Sequence, residues 1–536
     1  MLDFSQVLGL LVVIALLASI GHRFSVPYPI VFVLGGLVLA LIPGMPGIQL
    51  DPDLVLIIFL PPLIYAAAQE TSLIEVKHNI LPILRLAVGL VLATMVAVAV
   101  VAHFVSPGLP WAAAFTLGAV ISPPDAVAAT AVASALGLPR GLVVILEGEG
   151  LFNDATALVA FKITSGIVIT GAAFNLPSTL LSFIYAAIAG VGIGLVIGWV
   201  GRAVLRRAND AAVENTVTLL LPFAAYLPAD AAGASGVLAV LAMALYLSQF
   251  SSEILSPIGR LRNTTLWDMI NFLLTGLSFI LVGLELSAVH IGAGRWTAME
   301  AVVGAIVVSA VVILVRPVWV FGTHFISRGH YAWDADVDRS SHRELAVVSW
   351  AGMRGVVSLA VALSIPATID DGGPFPGRDI IIFITFVVIL VTLIGQGLTL
   401  PAVIQRMGVQ GAARDAEDQE LSARLSMLHA GLDRLDSLGS TYGCAEDLLA
   451  QIRETYAQRI ERLEQRRAAL DTDDETERQQ QDQAARRSAA NKRLVASMLD
   501  AEQSALNRLR AGAAIDADLA QRLQRDLDVR HIELKQ

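Results

Sequence analysis

Apolar residues dominate the chain up to about residue 405, in long runs separated by short breaks of polar residues, proline or glycine. An α-helix needs roughly 20 apolar residues to cross the hydrocarbon core of a bilayer. The pattern therefore predicts an all-α, multi-pass membrane domain over residues 1–405. Its thirteen spanning helices are expected at about 5–21, 27–43, 53–70, 80–105, 111–136, 141–170, 177–204, 213–230, 233–250, 264–286, 299–322, 346–367 and 379–403.

The connections between these runs differ in their content of lysine and arginine. The even-numbered connections contain only Arg295 and Arg378. The odd-numbered connections contain Arg23, Lys77, Arg140, Arg206, Arg207, Arg260, Arg262, Arg328, Arg339 and Arg343. Because basic loops stay on the cytoplasmic side, we expect a plasma-membrane protein with its N-terminus outside and its C-terminus in the cytoplasm. A miscounted helix would destroy this alternation, so the alternation also favours the count of thirteen.

Composition agrees with a membrane protein. Hydrophobic residues make up 55% of the 536 positions, charged residues 16%, and the mean hydropathy is +0.67, which excludes an ordinary soluble protein. The net charge of −10 argues against a nucleic-acid partner. The single cysteine, Cys444, allows no internal disulfide and no cysteine-based metal cluster. The lipid bilayer is therefore the first partner that the sequence indicates.

From residue 406 to residue 536 the apolar runs give way to Arg, Gln, Asp, Glu and Ala. Leucine recurs there at the three- and four-residue spacing of an amphipathic helix, at Leu421, Leu425, Leu428, Leu432, Leu435 and Leu438. We expect a cytoplasmic helical tail with an exposed or disordered interruption at 471–491. The tail either packs on itself as a helix pair or presents a surface for dimerisation or for a cytoplasmic regulator.

The sixth apolar run contains carboxylates near its centre. The segment Gly148–Ala155, with the sequence Gly-Glu-Gly-Leu-Phe-Asn-Asp-Ala, places Asp154 in the middle of apolar sequence from Leu142 to Gly171. An ionised carboxylate at this depth costs at least about 2.5 kcal/mol unless an ion, a proton or a partner receives it. Asp154 is therefore the first candidate for an ion-binding and proton-carrying residue. The structural alternative is a carboxylate that only forms hydrogen bonds between helices.

Two other runs are interrupted near their middle. The fifth contains Ser122–Asp125, Ser-Pro-Pro-Asp, whose two prolines remove backbone donors and force the helix to unwind. The twelfth contains Gly352–Gly355, Gly-Met-Arg-Gly. A helix break at membrane depth survives only inside protein or against a water-filled cavity. A simple proline kink and close packing at glycine are the alternatives, but neither requires Asp125 or Arg354.

Arg354 needs an anion, because an unpaired guanidinium is costly in the membrane. The candidate partners are Glu147, Glu149, Asp125 and Asp154. We expect Arg354 to pair with Glu149, which leaves Asp154 available to an ion.

The positions of the two breaks indicate an internal repeat. If spans 1–6 and 8–13 form two halves joined by span 7, the fifth and twelfth spans match, and the odd offset makes the two six-helix repeats inverted. Interrupted helices at matching positions of inverted repeats indicate a transport site near the midplane. There, freed backbone groups of the breaks, with Ser122 and Asp125 beside the first, can replace the hydration of an ion while Asp154 supplies negative charge.

These residues resemble a known family. The segment Glu147–Val159 is similar to the Asn-Asp signature helix of bacterial sodium/proton exchangers, a branch of the monovalent cation:proton antiporter superfamily. Further similarities occur in family order and bring the resemblance to about residues 5–405, at Phe59–Ile64, Trp267–Leu286, Gly352–Gly355 and Gly397–Pro401.

The resemblance implies a homodimeric, thirteen-helix antiporter with a dimerisation domain and a six-helix core crossed by two broken helices. It implies that Asp154 binds either the cation or a proton, that Asn153 holds the site geometry, and that Glu149 and Arg354 form a structural ion pair. It implies no cofactor, only transported Na⁺ and H⁺. Asn rather than Asp at position 153 resembles the electroneutral exchangers.

The chain departs from the family pattern at two places. Ser-Pro-Pro-Asp at residues 122–125 replaces the usual Thr-Asp-Pro, which shifts the acid, Asp125. Gly150 replaces the usual serine, which removes one hydroxyl ligand.

The sequence thus favours exchange of Na⁺ or Li⁺ for H⁺ by alternating access, with both ions competing for Asp154. A K⁺/H⁺ antiporter of the same fold is the alternative within this class. A cation channel would need a repeated filter-like loop, which the sequence lacks. An intramembrane enzyme is disfavoured because neither His-Glu-x-x-His nor Gly-x-Ser-x-Gly occurs. A non-transporting sensor that signals through the tail is the last alternative.

Overall fold

The computed structural model describes residues 4–24, 27–42, 52–106, 108–125, 129–130, 136–208, 210–284, 297–327, 341–409, 412–439, 446–471, 495–499, 501–509, 523–524, 527 and 530. Over these ranges the regular structure is helical, and no β-strand occurs among them. The chain forms two compact units, residues 1–413 and 414–536. The sequence predicts a boundary at residue 405.

The first unit consists of helices joined by short connections. In chain order they are α1 (Phe4–Phe24), α2 (Tyr28–Ala40), α3 (Pro52–Glu70), α4 (Leu73–His78), α5 (Ile80–Leu84), α6 (Val91–Val105), α7 (Trp111–Ile121), α8 (Arg140–Thr170), α9 (Leu176–Leu205), α10 (Ala211–Ala231), α11 (Gly236–Ser248), α12 (Ser251–Ile254), α13 (Pro257–Leu284), α14 (Ala298–Ser327), α15 (Ser341–Trp350), α16 (Val356–Leu363), α17 (Arg378–Leu390) and α18 (Gly397–Met407). π-Helical turns at Arg85–Leu90 and Val391–Gln396 join α5 to α6 and α17 to α18.

Among the residues that the structure describes, five helices are long and apolar enough to cross a bilayer, namely Ile80–Val105, Pro177–Leu205, Pro257–Leu284, Ala298–Ile326 and Arg378–Met407. Shorter apolar helices lie at Leu8–Arg23, Tyr28–Ala40, Leu56–Gln69, Trp111–Ile121 and Gly236–Ser248. The prediction of an all-α, multi-pass membrane protein is confirmed. The count of thirteen spans and the inverted repeats stay predictions.

The helices of the first unit pack mainly within two groups. We call α1, α2, α3, α9, α10, α11 and α13 the flank group, in which α2 packs on α13, α9 on α11, and α10 on α11. We call α6, α7, α8 and α14 to α18 the crossing group, in which α7 packs on α6 and α8, and α14 packs on α6 and α17. The crossing group contains both predicted helix breaks.

Glycine spacing brings α9 and α11 together. Gly190, Gly194 and Gly198 recur every four residues and therefore share one face of α9. A methyl group added at Gly194 would overlap the backbone carbonyl of Ala239 on α11, and one at Gly190 would lie 2.6 Å from the carbonyl oxygen of Ser235. The two backbones are thus in direct contact, as in other membrane helix pairs with small residues at this spacing.

Both predicted breaks are present, and they touch. Helix α7 ends at Ile121, just before the two prolines. Helix α15 ends at Trp350, and α16 begins at Val356 after a non-helical stretch over 351–355. The backbone N–H of Asp125 donates a hydrogen bond of 2.6 Å to the carbonyl oxygen of Met353. Residues 126–128 and 131–135 of the fifth run lie outside the described residues.

The second unit contains α19 (Ala412–Gly439), apart from its first two residues, and α20 (Glu446–Asp471). Arg466 and Arg467, late in α20, form ion pairs of 2.7 and 2.6 Å with Glu417 and Asp418, early in α19. The two helices are therefore antiparallel, which agrees with a tail that packs on itself. Cys444 and residues 472–491 of the predicted interruption lie outside the described part of the chain.

We expect Gly194→Ala to lower the melting temperature of the purified protein in detergent. The added methyl group would overlap a backbone carbonyl that can yield only if α9 and α11 separate, and such overpacking costs about 1–3 kcal/mol. Gly192→Ala is the matched control, because no atom lies within 4 Å of a methyl group there. Equal losses in both variants would contradict this packing.

Candidate functional site

Asp154 lies in the wall of a membrane cavity of about 170 Å³. It is carried by α8, which begins after Pro139 and ends at Thr170; the next residue, Gly171, has a φ of 63°, which suits glycine. The polar residues that line this Asp154 cavity are Thr71, Asp125, Thr130, Glu147, Asp154, Asn271, Thr275, Ser278 and Ser358. They come from both helix groups, since α3 and α13 form one wall while α8, the fifth-span break and α16 form the other.

Asn153 ties α8 to the first helix break. Its side chain is fully buried, and Nδ2 donates a hydrogen bond of 2.7 Å to the carbonyl oxygen of Pro124. Successive residues on a helix are rotated by about 100°, so Asp154 points elsewhere and lies at the cavity. Within the described chain, no hydrogen bond or ion pair occupies the Asp154 carboxylate. Asn153 thus joins α8 to the first helix break, and the Asp154 carboxylate faces the cavity.

Asp125 brings a further carboxylate to the cavity, beside those of Asp154 and Glu147. Its backbone is held by Met353, and a methyl group added at Gly355 would overlap its carboxylate, so the acid lies directly against the second break. Position 355 therefore has no space for a side chain. The three carboxylates on this cavity, Asp125, Glu147 and Asp154, favour a cation there, because each lowers the energy of a positive charge nearby.

Ser122 is not brought to this cavity. Its hydroxyl donates a hydrogen bond of 3.0 Å to the carbonyl oxygen of Ala119 within the last turn of α7, and the residue is fully buried. The cavity wall includes Pro123 and Pro124 but not Ser122. A role of Ser122 as an ion ligand is therefore not supported by this arrangement.

Glu149 has a different partner from the predicted one. The guanidinium of Arg316 on α14 binds both of its carboxylate oxygens, at 2.5 and 2.7 Å, and Nε of Arg316 donates to the carbonyl oxygen of Val348 at 2.8 Å. The two side chains are only 1% and 2% exposed. This planar, two-point pairing is what arginine offers a buried carboxylate. The prediction that Glu149 pairs with Arg354 is corrected accordingly.

Arg354 is also buried, but it donates hydrogen bonds to other groups than the Glu149 carboxylate. Its Nη1 donates to the carbonyl oxygen of Gly352 at 3.0 Å, and its backbone N–H donates to Oγ1 of Thr392 at 3.1 Å. Arg354 therefore holds the non-helical stretch of the twelfth span, while the two-point partner of Glu149 is Arg316.

Sequence reasoning missed Arg316 and the polar face of α13. Arg316 was detectable as a lone cation within the eleventh apolar run, followed by Pro317. Asn271, Thr275 and Ser278 follow an i, i+4, i+7 spacing, which places them on one face of α13. Such a polar stripe on an apolar helix was the signal that could have identified this wall of the cavity.

We expect a double-mutant cycle to couple Glu149 to Arg316 more strongly than to Arg354. Arg316→Gln leaves a buried carboxylate unpaired, which costs about 3–5 kcal/mol, and adding Glu149→Gln should recover part of that loss. The cycle of Glu149→Gln with Arg354→Gln is the matched control. Thermal unfolding in detergent measures both, and stronger coupling to Arg354 would contradict the pairing.

Known proteins are similar to this chain over most of its length. Residues 10–406 match the family described as sodium/hydrogen exchanger, transmembrane. An uncharacterised Na⁺/H⁺ exchanger of Mycobacterium tuberculosis is 35% identical over 540 residues, covering 98% of this chain and 96% of the relative. A sodium, potassium, lithium and rubidium/H⁺ antiporter of Bacillus subtilis is 35% identical over 412 residues, covering 74% and 61%.

A solved structure shares the fold. The sodium proton antiporter MjNhaP1 from Methanocaldococcus jannaschii matches with a TM-score of 0.59 at 21% identity, over 75% of this chain and 98% of that one. The relatives are named as exchangers and antiporters, which are transporters and not enzymes. The chain therefore belongs to the transmembrane sodium/hydrogen exchanger family and is an NhaP-like monovalent cation:proton antiporter.

Proposed function

We propose that this protein exchanges Na⁺ or Li⁺ for H⁺ across the plasma membrane, and that the two ions bind Asp154 in competition. The observation that carries the proposal is the position of Asp154, whose carboxylate meets a cavity between the two helix groups. A carboxylate at membrane depth is unfavourable when it is charged and empty. Such a site crosses the membrane only when it is loaded with a cation or a proton.

The ligands around Asp154 suit a hard monovalent cation. The polar side chains of the cavity wall are carboxylates, hydroxyls and one amide, so they offer oxygen atoms to an ion. Cation binding requires the charged carboxylate, whereas proton binding neutralises it. One group therefore couples the two ions without a second transport site.

Alternating access is proposed to arise from movement of the crossing group past the flank group. Asp154 belongs to the crossing group, and α3 and α13 of the opposite wall belong to the flank group. Leu151 and Ala155 of α8 are buried in the same apolar cluster as residues of α3 and α11. Apolar surfaces can slide without breaking buried hydrogen bonds, which is compatible with such a movement.

We further propose one-for-one, electroneutral exchange. Residue 153 is an amide whose nitrogen is already bound to Pro124. The position beside Asp154 therefore supplies no second acid to carry an additional proton.

A K⁺/H⁺ antiporter is the second candidate function. The Bacillus subtilis relative is named for sodium, potassium, lithium and rubidium, so cation selectivity varies among proteins similar to this chain. Oxygen ligands alone do not rank these ions.

The proposal also includes the orientation of the chain in the membrane, the number of spans and the oligomeric state. The distribution of lysine and arginine supports an outer N-terminus and a cytoplasmic C-terminus, and the contact between the two breaks is compatible with thirteen spans in inverted repeats. A homodimer, and a tail that binds itself or a cytoplasmic regulator, complete the proposal.

We expect Asp154→Asn to abolish cation-driven proton movement in proteoliposomes, because the amide can neither bind a proton nor neutralise a cation. The assay uses a quenched pH dye with Na⁺, Li⁺, K⁺ or choline, with and without a potential clamp. Asp268→Asn, an exposed acid of α13 that does not line the cavity, is the control. Exchange retained by Asp154→Asn would refute the assignment, and no response of wild type to any cation would favour the channel or sensor alternatives.

Competition at one site gives a defined pH dependence. As the pH falls, protons occupy Asp154, so the apparent KM for Na⁺ should rise by up to about tenfold per pH unit while the maximal rate is retained. Initial rates at several Na⁺ concentrations and pH values measure this. A constant KM with a falling maximal rate would place the controlling proton at another group.

A further inference from the structure

Along α8, the lining of the Asp154 cavity extends from Asp154 only toward the N-terminal end of the helix. The residues of α8 that line it are Glu147, Gly150, Leu151 and Asp154, all at or before position 154. Beyond Asp154, Leu158 packs against buried residues of two apolar clusters, one that includes Phe161 and one that includes Leu151. The protein is therefore closed on the side of Asp154 that faces the C-terminal end of α8.

An ion pair connects the two helix groups on this closed side. Nζ of Lys162 on α8 lies 2.5 Å from Oδ1 of Asp230 on α10, with side chains 57% and 42% exposed. Lys162 follows Asp154 by eight residues, or about 12 Å along the helix. Since α8 belongs to the crossing group and α10 to the flank group, this contact spans the interface along which the proposed movement occurs.

Both partners are fixed to their own group. Near the end of α8, the carbonyl oxygen of Ile169 accepts a hydrogen bond from the backbone N–H of Asp370, in the connection between α16 and α17. At the end of α10, the carbonyl oxygen of Ala232 accepts a hydrogen bond from the hydroxyl of Tyr185 on α9. A displacement of one group against the other would therefore separate Lys162 from Asp230.

We propose that Lys162 and Asp230 form a latch that holds the closed side shut and must open before Asp154 can face that side. This inference rests on the proposed function, because it assumes alternating access. The latch is weak because both side chains are exposed, and an exposed ion pair contributes about 0.2–1 kcal/mol. It shifts the balance between the two orientations by a small factor and does not lock the protein permanently.

Cysteine accessibility tests the latch directly, because Cys444 is the only cysteine of the chain. In a Cys444→Ser background, Leu158→Cys reports opening of the closed side to a membrane-impermeant maleimide applied to right-side-out and inside-out vesicles. We expect Lys162→Gln and Asp230→Asn each to raise the labelling rate from one side by about 1.5- to 5-fold. The exchanged pair Lys162→Asp/Asp230→Lys should restore the original rate.

The matched control is Arg206→Gln. Arg206, directly after α9, forms a similarly exposed ion pair of 3.0 Å with Glu253 on α12, away from the α8 interface, and Glu253 also pairs with Arg202. Its loss should leave the labelling rate unchanged. Unchanged labelling in the Lys162 and Asp230 variants, or an exchanged pair that does not restore the rate, would overturn the latch.

Crosslinking supplies a second measurement. With cysteines at positions 162 and 230 joined by a short bifunctional thiol reagent, exchange should stop and should recover when the linker is cleaved. Full exchange by the crosslinked protein would overturn the proposal. Failure of the function itself is distinguishable, because wild type without any crosslinker would then show no cation-driven proton movement.

Discussion

The cost of a charge in hydrocarbon is the constraint on which this structure depends. Three arrangements of charge meet it in different ways. Glu149 and Arg316 neutralise each other through a two-point contact that is nearly inaccessible to solvent. Arg354 is held by backbone oxygen at a helix break. The Asp154 carboxylate, in contrast, faces a cavity, and this difference separates Asp154 from the charges that are held by protein partners.

The two helix breaks supply backbone groups and space that position the residues of the site. Pro124 cannot donate a backbone hydrogen bond, and its carbonyl, freed from helical pairing, accepts one from Asn153. Gly355 leaves space for the Asp125 carboxylate where any side chain would collide with it. Pro124 and Gly355 thus each have a specific neighbour, so non-helical backbone is stabilised within protein at both breaks, as membrane depth requires.

Sequence alone identified what depends on local chemistry and missed what depends on packing. Proline and glycine interrupt a helix at their own positions, so both breaks could be predicted. The position of Asp154 within apolar sequence could be predicted for the same reason, because it depends only on neighbouring residues. The partner of Glu149 could not, because Arg316 is 167 residues away and Arg354 carries the same charge. Only the position of α14, which packs against α6, α15 and α17, decides between them. Ser122 was misplaced for a similar reason, since a serine near a break can bond to its own helix as readily as face a cavity.

The most direct test of the central claim is a Na⁺-induced infrared difference spectrum of the purified protein. If Na⁺ and H⁺ compete for Asp154, adding Na⁺ at low pH should remove the carbonyl band of a protonated carboxylic acid and create carboxylate bands. Both changes should be absent in Asp154→Asn. A protonated-acid band that persists while Na⁺ is bound, or an unchanged difference spectrum in the variant, would contradict competition at this residue.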